Sequence, residues 1–423
     1  MRLPSSLRPL RHRDFAVVWL AGMVSNAGSW MQTVAVGAFV TSRTGKAGWA
    51  GLAAAAAFLP LGLLAPVGGA LADRLNRRVF VMVASVLEAL IAALLAWMAA
   101  TGRAEPASVT VVVFVAGCIA AIRLPFNQAM TLDLVERDEF LAAASLTSAQ
   151  YNLGRVIGPT LAGTVIALWG YGWAFTINAV SFFAVVAAMV VVRIVHEGST
   201  DDTPLWERIR VGARATRANP GARAAILLIG VTAFLVSPFI ALIPARAYEL
   251  AVGHSERVAS ITGWLTTAQG VGAVSGALAI APLANRFGRR RMLLANVVAT
   301  PVVLIFYAAV QSEWLAIALL AVVGALYIGV LSGLNNVVSL WAPSALRGRI
   351  LSLYLVALGA IYPIGGLVQG WLADRIGLAE TTALGAVALL VVVGVWRVAR
   401  PASLEPLTDP AELGVNPEKM AAV

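Results

Sequence analysis

Charge is scarce in this chain. Of 423 residues only 12% are charged, about half of the roughly 25% usual in soluble globular domains. Lysine is almost missing: Lys46 and Lys419 stand among 31 basic residues, and all the others are arginine. A single cysteine, Cys118, excludes an intrachain disulfide and leaves the compartment unread. The three histidines, His12, His196 and His254, fall at the ends of apolar runs or between them, and no G-x4-G-K-[ST] phosphate loop occurs. The sequence therefore points to no enzyme, no metal site, no bound cofactor and no ATP-driven pump within this chain.

What it has instead is apolar length. Sixty per cent of the residues are hydrophobic, and they come in runs of about twenty, the length that crosses a ~30 Å hydrocarbon layer at 1.5 Å per residue. Stretches such as "VVVFVAGCIAAI" do not alternate as ~10-residue barrel strands would. The fold class is an all-α membrane protein. The first apolar segment, from Phe15 to about Val40, exceeds a 7–15-residue signal-peptide core and reads as a span. A net charge of +10 could suit nucleic acid, but the arginines lie in the gaps between runs, where a bilayer needs them. The partners expected are thus the lipid bilayer and a small-molecule substrate, not nucleic acid, with the chain acting as a monomer.

Hydropathy places spans near 15–40, 49–72, 79–101, 107–130, 142–168 and 171–195, then near 224–248, 257–284, 292–311, 314–338, 350–373 and 378–399. Twelve transmembrane helices in two six-helix bundles follow: residues 1–195, a cytoplasmic linker 196–222, residues 223–400, and a cytoplasmic tail 401–423 expected to be disordered. The linker's basic stretch Leu205–Arg217 predicts a short amphipathic helix. With both termini cytoplasmic, 24 Lys/Arg face the cytoplasm, Arg123 and Arg137 of the fourth–fifth loop among them, and six face outward. That asymmetry fixes the orientation expected in the cell membrane.

The halves repeat. "GALADRLNRR" after the second span returns after the eighth as "APLANRFGRR", with Asn285 where the first copy has Asp73. Gly158, Gly163 and Gly170 each have a glycine 207 residues on, at Gly365, Gly370 and Gly377. Duplicated halves joined by a basic loop are a transporter pattern, with the binding site near the bilayer midplane.

On these residues the chain resembles the major facilitator superfamily. Gly69, Leu71, Asp73, Arg74, Arg77 and Arg78 match its G-x-L-A-D-R/K-x-G-R-R/K loop, with Asn76 where a glycine is usual. "GRVIGPTLAG" is similar to its antiporter motif: Gly154, Gly158, Pro159 and Gly163 match, Ala162 departs, and Arg155 lies inside it. "SNAGSWMQTVA", "NAVSF" and "PSALRGRILSLYL" resemble the subgroup with the enterobactin exporter and macrolide-efflux permeases. The resemblance covers residues 10 to 400 and implies the major facilitator fold. It implies that Asp73 meets the N-terminus of span eleven, whose partial positive charge favours an anion, while Arg74 and Arg77 pair with Asp133 or Glu136. Gly69 would let span two approach a neighbour. Together they form a one-sided gating latch, since Asn285 carries no charge.

Two ionisable groups lie deep in spans, where an ion costs at least ~2.5–3.5 kcal/mol unless paired or facing water. Arg155 should face the cavity or a neighbouring carbonyl. Glu88, in an almost uncharged helix, is either the proton carrier or a structural hydrogen-bonding group. Ser29 stands where some relatives carry an acid, which shifts any coupling to Glu88 or Asp133. Gly158-Pro159 should bend span five. Asn26, Trp30, Gln32, Asn127, Gln150, Asn152, Gln269, Asn335 and Asn336 are cavity candidates, each with a helix–helix hydrogen bond as the alternative. The expected function is export of an amphipathic drug, macrolide or siderophore by proton antiport, driven by the proton gradient. Import or uniport, and a non-transporting membrane scaffold or sensor, are the competing readings.

Overall fold

The computed structural model describes residues 5–192, 205–343 and 346–418, and all regular structure among them is helical. Fourteen α-helices follow in chain order. The first eight are α1 (Arg13–Thr44), α2 (Ala47–Ala72), α3 (Arg77–Ala100), α4 (Pro106–Asp133), α5 (Phe140–Trp169), α6 (Tyr171–Val191), α7 (Leu205–Ala218) and α8 (Pro220–Leu235). The rest are α9 (Ile243–Leu250), α10 (Val258–Phe287), α11 (Arg289–Ala309), α12 (Glu313–Trp341), α13 (Arg347–Ile376) and α14 (Leu378–Ala399).

Nine of the described helices are long and apolar enough to cross a membrane, and α7 with α8, meeting at 110°, adds a tenth candidate. Helices α1 and α5 coincide with expected spans but are not among the nine. They carry Asn26, Ser29, Gln32, Gln150, Asn152 and Arg155, so polar groups dilute their apolar length. The expected seventh span is broken. Its backbone runs as α8, a 3-10 turn at Ser237–Phe239 and then α9, where Pro238 and Pro244 each withdraw a backbone donor.

Two compact units result: residues 1–201 with 243–267, and residues 202–242 with 268–423. In the first, α1 packs on α5 and α6, α2 on α4, and α3 on α4 and α6. Its core at one end gathers Phe15, Val81, Phe126, Met130, Leu146 and Met189, with Phe80 and Phe126 stacked at 3.9 Å. In the second, α8, α11, α12, α13 and the C-terminal segment enclose Leu228, Leu293, Leu334, Trp341, Tyr354, Leu404 and Leu407.

Two expectations are corrected here. The tail expected to be disordered instead packs, as far as residue 418: Leu404 and Leu407 are buried, and the Trp341 indole N–H donates to Thr408 O at 2.9 Å. Apolar residues at 404 and 407 give this segment something to bury, which a hydropathy window averaged over prolines and acids misses. Arg123, counted as a loop residue, lies inside α4, because the apolar run continues past it through Phe126 to Met130. The linker helix matches its expected place as α7, the glycine of its middle, Gly212, lying against Arg349 of α13. Arg193 and His196 lie outside the described residues.

The repeated glycines serve repeated geometry. Gly170 and Gly377 precede α6 and α14 with φ of 84° and 99° and ψ of 174° and 151°, a region essentially open to glycine alone. A Cβ on Gly158 would come within 2.6 Å of Ala27 O in α1, and one on Gly365 within 2.7 Å of Phe234 O in α8. In each unit, then, a helix backs onto the backbone of its partner at the corresponding residue.

Candidate functional site

At the α2–α3 junction the helix stops at Ala72, and Asp73 takes its C-cap. Asn76 caps α3: its side-chain oxygen accepts from Val79 N at 3.1 Å. This explains the departure from the family glycine, since an asparagine here satisfies one of the unmatched amides that begin a helix. Arg77 donates through Nη1 to both carboxylate oxygens of Asp133, at 2.9 and 2.7 Å, and through Nε to Ala72 O at 3.1 Å. Arg78 donates to Met189 O and, at 2.8 Å, to Val190 O. It thereby sets a cation on the last carbonyls of α6, the negative end of that helix dipole. The loop's three parts are therefore tied to α2, α4 and α6. The close approach expected at Gly69 is not there: nothing lies within 4 Å of a Cβ at that position, whereas Gly68 faces the backbone of Ile122 in α4, with Cα 2.8 Å from such a Cβ. One helical residue of rotation moves the small side chain from one neighbour to the next. Arg74 is exposed.

The antiporter-like stretch of α5 faces α1. Gly154 lies against the Asn26 side chain and Gly158 against Ala27, Trp30 and Met31. Further along, Gly263 of α10 approaches Pro159 O and Gly163, and Gly163 approaches Ser260. Between these contacts the Arg155 guanidinium stands 5.6 Å from the Trp30 ring centre. Tyr151 meets the same indole edge-on at 5.7 Å, and Phe58 of α2 completes the group at 6.4 Å. One turn away, Asn26 Nδ2 reaches Gln150 O at 3.5 Å. Thus Trp30, Arg155, Asn26 and Gln150 are brought together on two helices.

Other cavity candidates scatter. Gln32 Oε1 accepts from Asn178 Nδ2 at 2.8 Å, and Gly28 lies against Asn178 and Ser181. The "SNAGSWMQTVA" and "NAVSF" stretches are thereby one α1–α6 contact, with Gln32 engaged in it rather than lining a cavity. Gln269 is 1% exposed, and its backbone carbonyl lies against Gly324 of α12. Asn152 donates to Ser148 O in its own helix. Asn127 and Asn335 are half-buried and Asn336 exposed.

Glu88 is 5% exposed and ion-paired with Arg123 Nε at 2.8 Å. The uncharged surroundings expected for it are corrected, because α4 brings a guanidinium to α3 within the apolar layer. Reading the run "CIAAIRLPFNQAM" as unbroken would have revealed that partner. A second buried acid escaped notice altogether. Glu139, 3% exposed before α5, is held by Arg11 at 2.9 Å and His12 at 2.8 Å, which ties the start of α1 to α5.

Comparison with known proteins gives the family. The chain is 27% identical to the multidrug efflux pump Tap of Mycolicibacterium fortuitum, over 86% of this chain and 90% of that one. It is 23% identical to the staphyloferrin A transporter of Staphylococcus aureus, over 87% and 92%. Its fold is similar to the crystal structure of a D-xylose-proton symporter, with a TM-score of 0.68 and 12% identity over 90% of this chain and 97% of that one. The model of the transmembrane secretion effector family matches residues 4–413. By that match the chain belongs to the transmembrane secretion effectors of the major facilitator superfamily, and is a multi-pass membrane transporter and not an enzyme.

Proposed function

We propose that this transporter exports an amphipathic small molecule, of drug, macrolide or siderophore type, by alternating access of two six-helix halves with twelve spans and both termini in the cytoplasm. The observation that carries the reading is the group formed by Trp30, Tyr151, Phe58 and Arg155. It offers broad aromatic surface with one guanidinium beside it and the amide of Asn26 one turn away along α1. Such a surface suits a molecule that is mostly apolar with a few polar groups, and suits poorly a sugar that needs many fixed hydrogen bonds. The efflux relative matched along most of its length supports the outward direction.

Proton antiport belongs to the same proposal, with Glu88 as the candidate carrier. Taking up a proton there would break the pair with Arg123, so protonation and a shift of α3 against α4 would be one event. The test is efflux of a substrate panel from proteoliposomes with and without an imposed pH gradient. It uses the wild type, Glu88→Gln, and Glu88→Gln combined with Arg123→Gln, so that no lone charge remains. The reading requires gradient-dependent export by the wild type and its loss in both variants. Gradient dependence surviving in the double variant removes Glu88 from the role. Accumulation running inward in right-side-out vesicles makes the protein an importer.

A further inference from the structure

The aromatic group around Trp30 has a sign. The three helices that build it, α1, α2 and α5, contain one acid between them, Asp14. That residue opens α1, sixteen positions from Trp30, which is about 24 Å at helical rise. Along the same helices the one cation away from the helix ends is Arg155, over the Trp30 ring. The acid placed deep in a neighbouring helix, Glu88, is 5% exposed and engaged by Arg123 at 2.8 Å. That pair belongs to α3 and α4, outside the three helices of the group.

An organic cation entering this group would seek the faces of Trp30 and Tyr151, which is how aromatic side chains recognise quaternary ammonium ligands. Here the Arg155 guanidinium already stands over the indole, so a second positive charge meets repulsion in a medium of low dielectric. A carboxylate, a hydroxamate or a ring of carbonyl oxygens meets the opposite. Its oxygens accept charge-assisted hydrogen bonds from the planar guanidinium, while its apolar body lies on Trp30, Tyr151 and Phe58. Tyr151 is about half exposed and Arg155 is partly exposed, so both have surface to offer a ligand.

We propose that Arg155 is the residue that sets substrate charge, selecting anionic or acceptor-rich neutral amphipaths and rejecting organic cations. The proposal rests on the export reading for its biological meaning, but its test does not depend on transport. Binding of two naphthalene probes of matched size, a sulfonate and a trimethylammonium, is measured by equilibrium dialysis against the protein in lipid nanodiscs, with empty nanodiscs subtracted. The wild type should bind the sulfonate at least about tenfold more tightly, a difference of about 1.4 kcal/mol. Arg155→Gln should bring the two within about twofold, by gaining affinity for the cation as well as losing it for the anion. Arg155→Lys should keep the order of preference, since the charge remains.

A purely structural arginine would move both probes alike in Arg155→Gln, and that outcome overturns the proposal. So does a wild type that binds the trimethylammonium as well as the sulfonate, or one that binds neither. Because misfolding could also weaken both, each variant is checked by its thermal unfolding, and Trp30→Phe serves as a second probe. That variant leaves the charge in place and should weaken both ligands while keeping their order. A reversed order in Trp30→Phe counts against Arg155. Charge preference in binding without any export would leave this inference standing and sink the export reading. Export of cations alone would do the reverse.

Discussion

The same arginine loop appears twice in the chain, and the two copies are anchored differently. After α2, Arg77 and Arg78 turn back into their own unit, onto Asp133 at the end of α4 and the last carbonyls of α6. After α10, Arg289 reaches Asp409 at 3.3 Å, in the segment that follows the last long helix. The first anchorage is partly sheltered, with side-chain exposures of 11% and 21%. The second is open, at 53% and 28%. The two copies thus share the basic residues and differ in what these hold. The copy with an aspartate at position 73 is built into the packing of helix ends, and the copy with Asn285 is joined to a peripheral strap.

The greatest expected effect lies in the copy rich in internal charge. Removing one partner of a buried ion pair costs about 3–5 kcal/mol, so Glu88→Gln should lower thermal stability severely. Glu88→Gln with Arg123→Gln should recover most of the loss, and unfolding of nanodisc-embedded protein reads both. Equal instability of the single and double variants would show that Arg123 is not the cause.

Next in size is transport. Asp73→Asn makes the first loop like the second, and should slow export by tenfold or more with the protein still inserted, whereas Asn285→Ala should change it little. The reverse ranking would assign the working copy to the second half. Smallest is the contrast between the arginines themselves. Arg77→Ala should cost about 1–2 kcal/mol, the hydrogen bonds to a charged group being partly screened at the surface. Arg289→Ala should cost under about 1 kcal/mol and lose even that at high salt. Comparable, salt-insensitive losses in both would erase the asymmetry.

Much of this was legible in the residues. Run lengths located the helices, and the resemblance, which paired Arg74 and Arg77 with Asp133 or Glu136, included the observed contact of Arg77 with Asp133. The glycine repeat was visible too, though not that Gly170 and Gly377 stand at helix starts with positive φ. What stayed hidden depends on rotation and on partners distant in sequence. Gly68 rather than Gly69 meets α4, a difference of one 100° step about a helix that is apolar on every side and so carries no directional pattern. Gln32 was legible as polar but not as the partner of Asn178, 146 residues away. Arg123 was misplaced since a cation in an apolar run reads as a loop until the carboxylate opposite it is known. The break between α8 and α9 could have been read from Pro238 and Pro244, which a smoothed window passes over.

Trp341 gives the order of assembly a physical meaning. Its indole sits 1% exposed among Leu404, Leu407 and Ala222, its N–H satisfied by Thr408 O and its carbonyl by Asn219. Of the residues that cover it, Leu404, Leu407 and Thr408 are synthesised after every long helix has been made. Until they arrive, a large aromatic ring and an unmatched N–H remain open at the end of α12, so the second unit reaches its native packing only when residue 408 has left the ribosome. The segment acts as a closing stitch. A chain shortened after Arg400 would present cellular quality control with the surface of an unfinished protein, although every one of its long helices would be present.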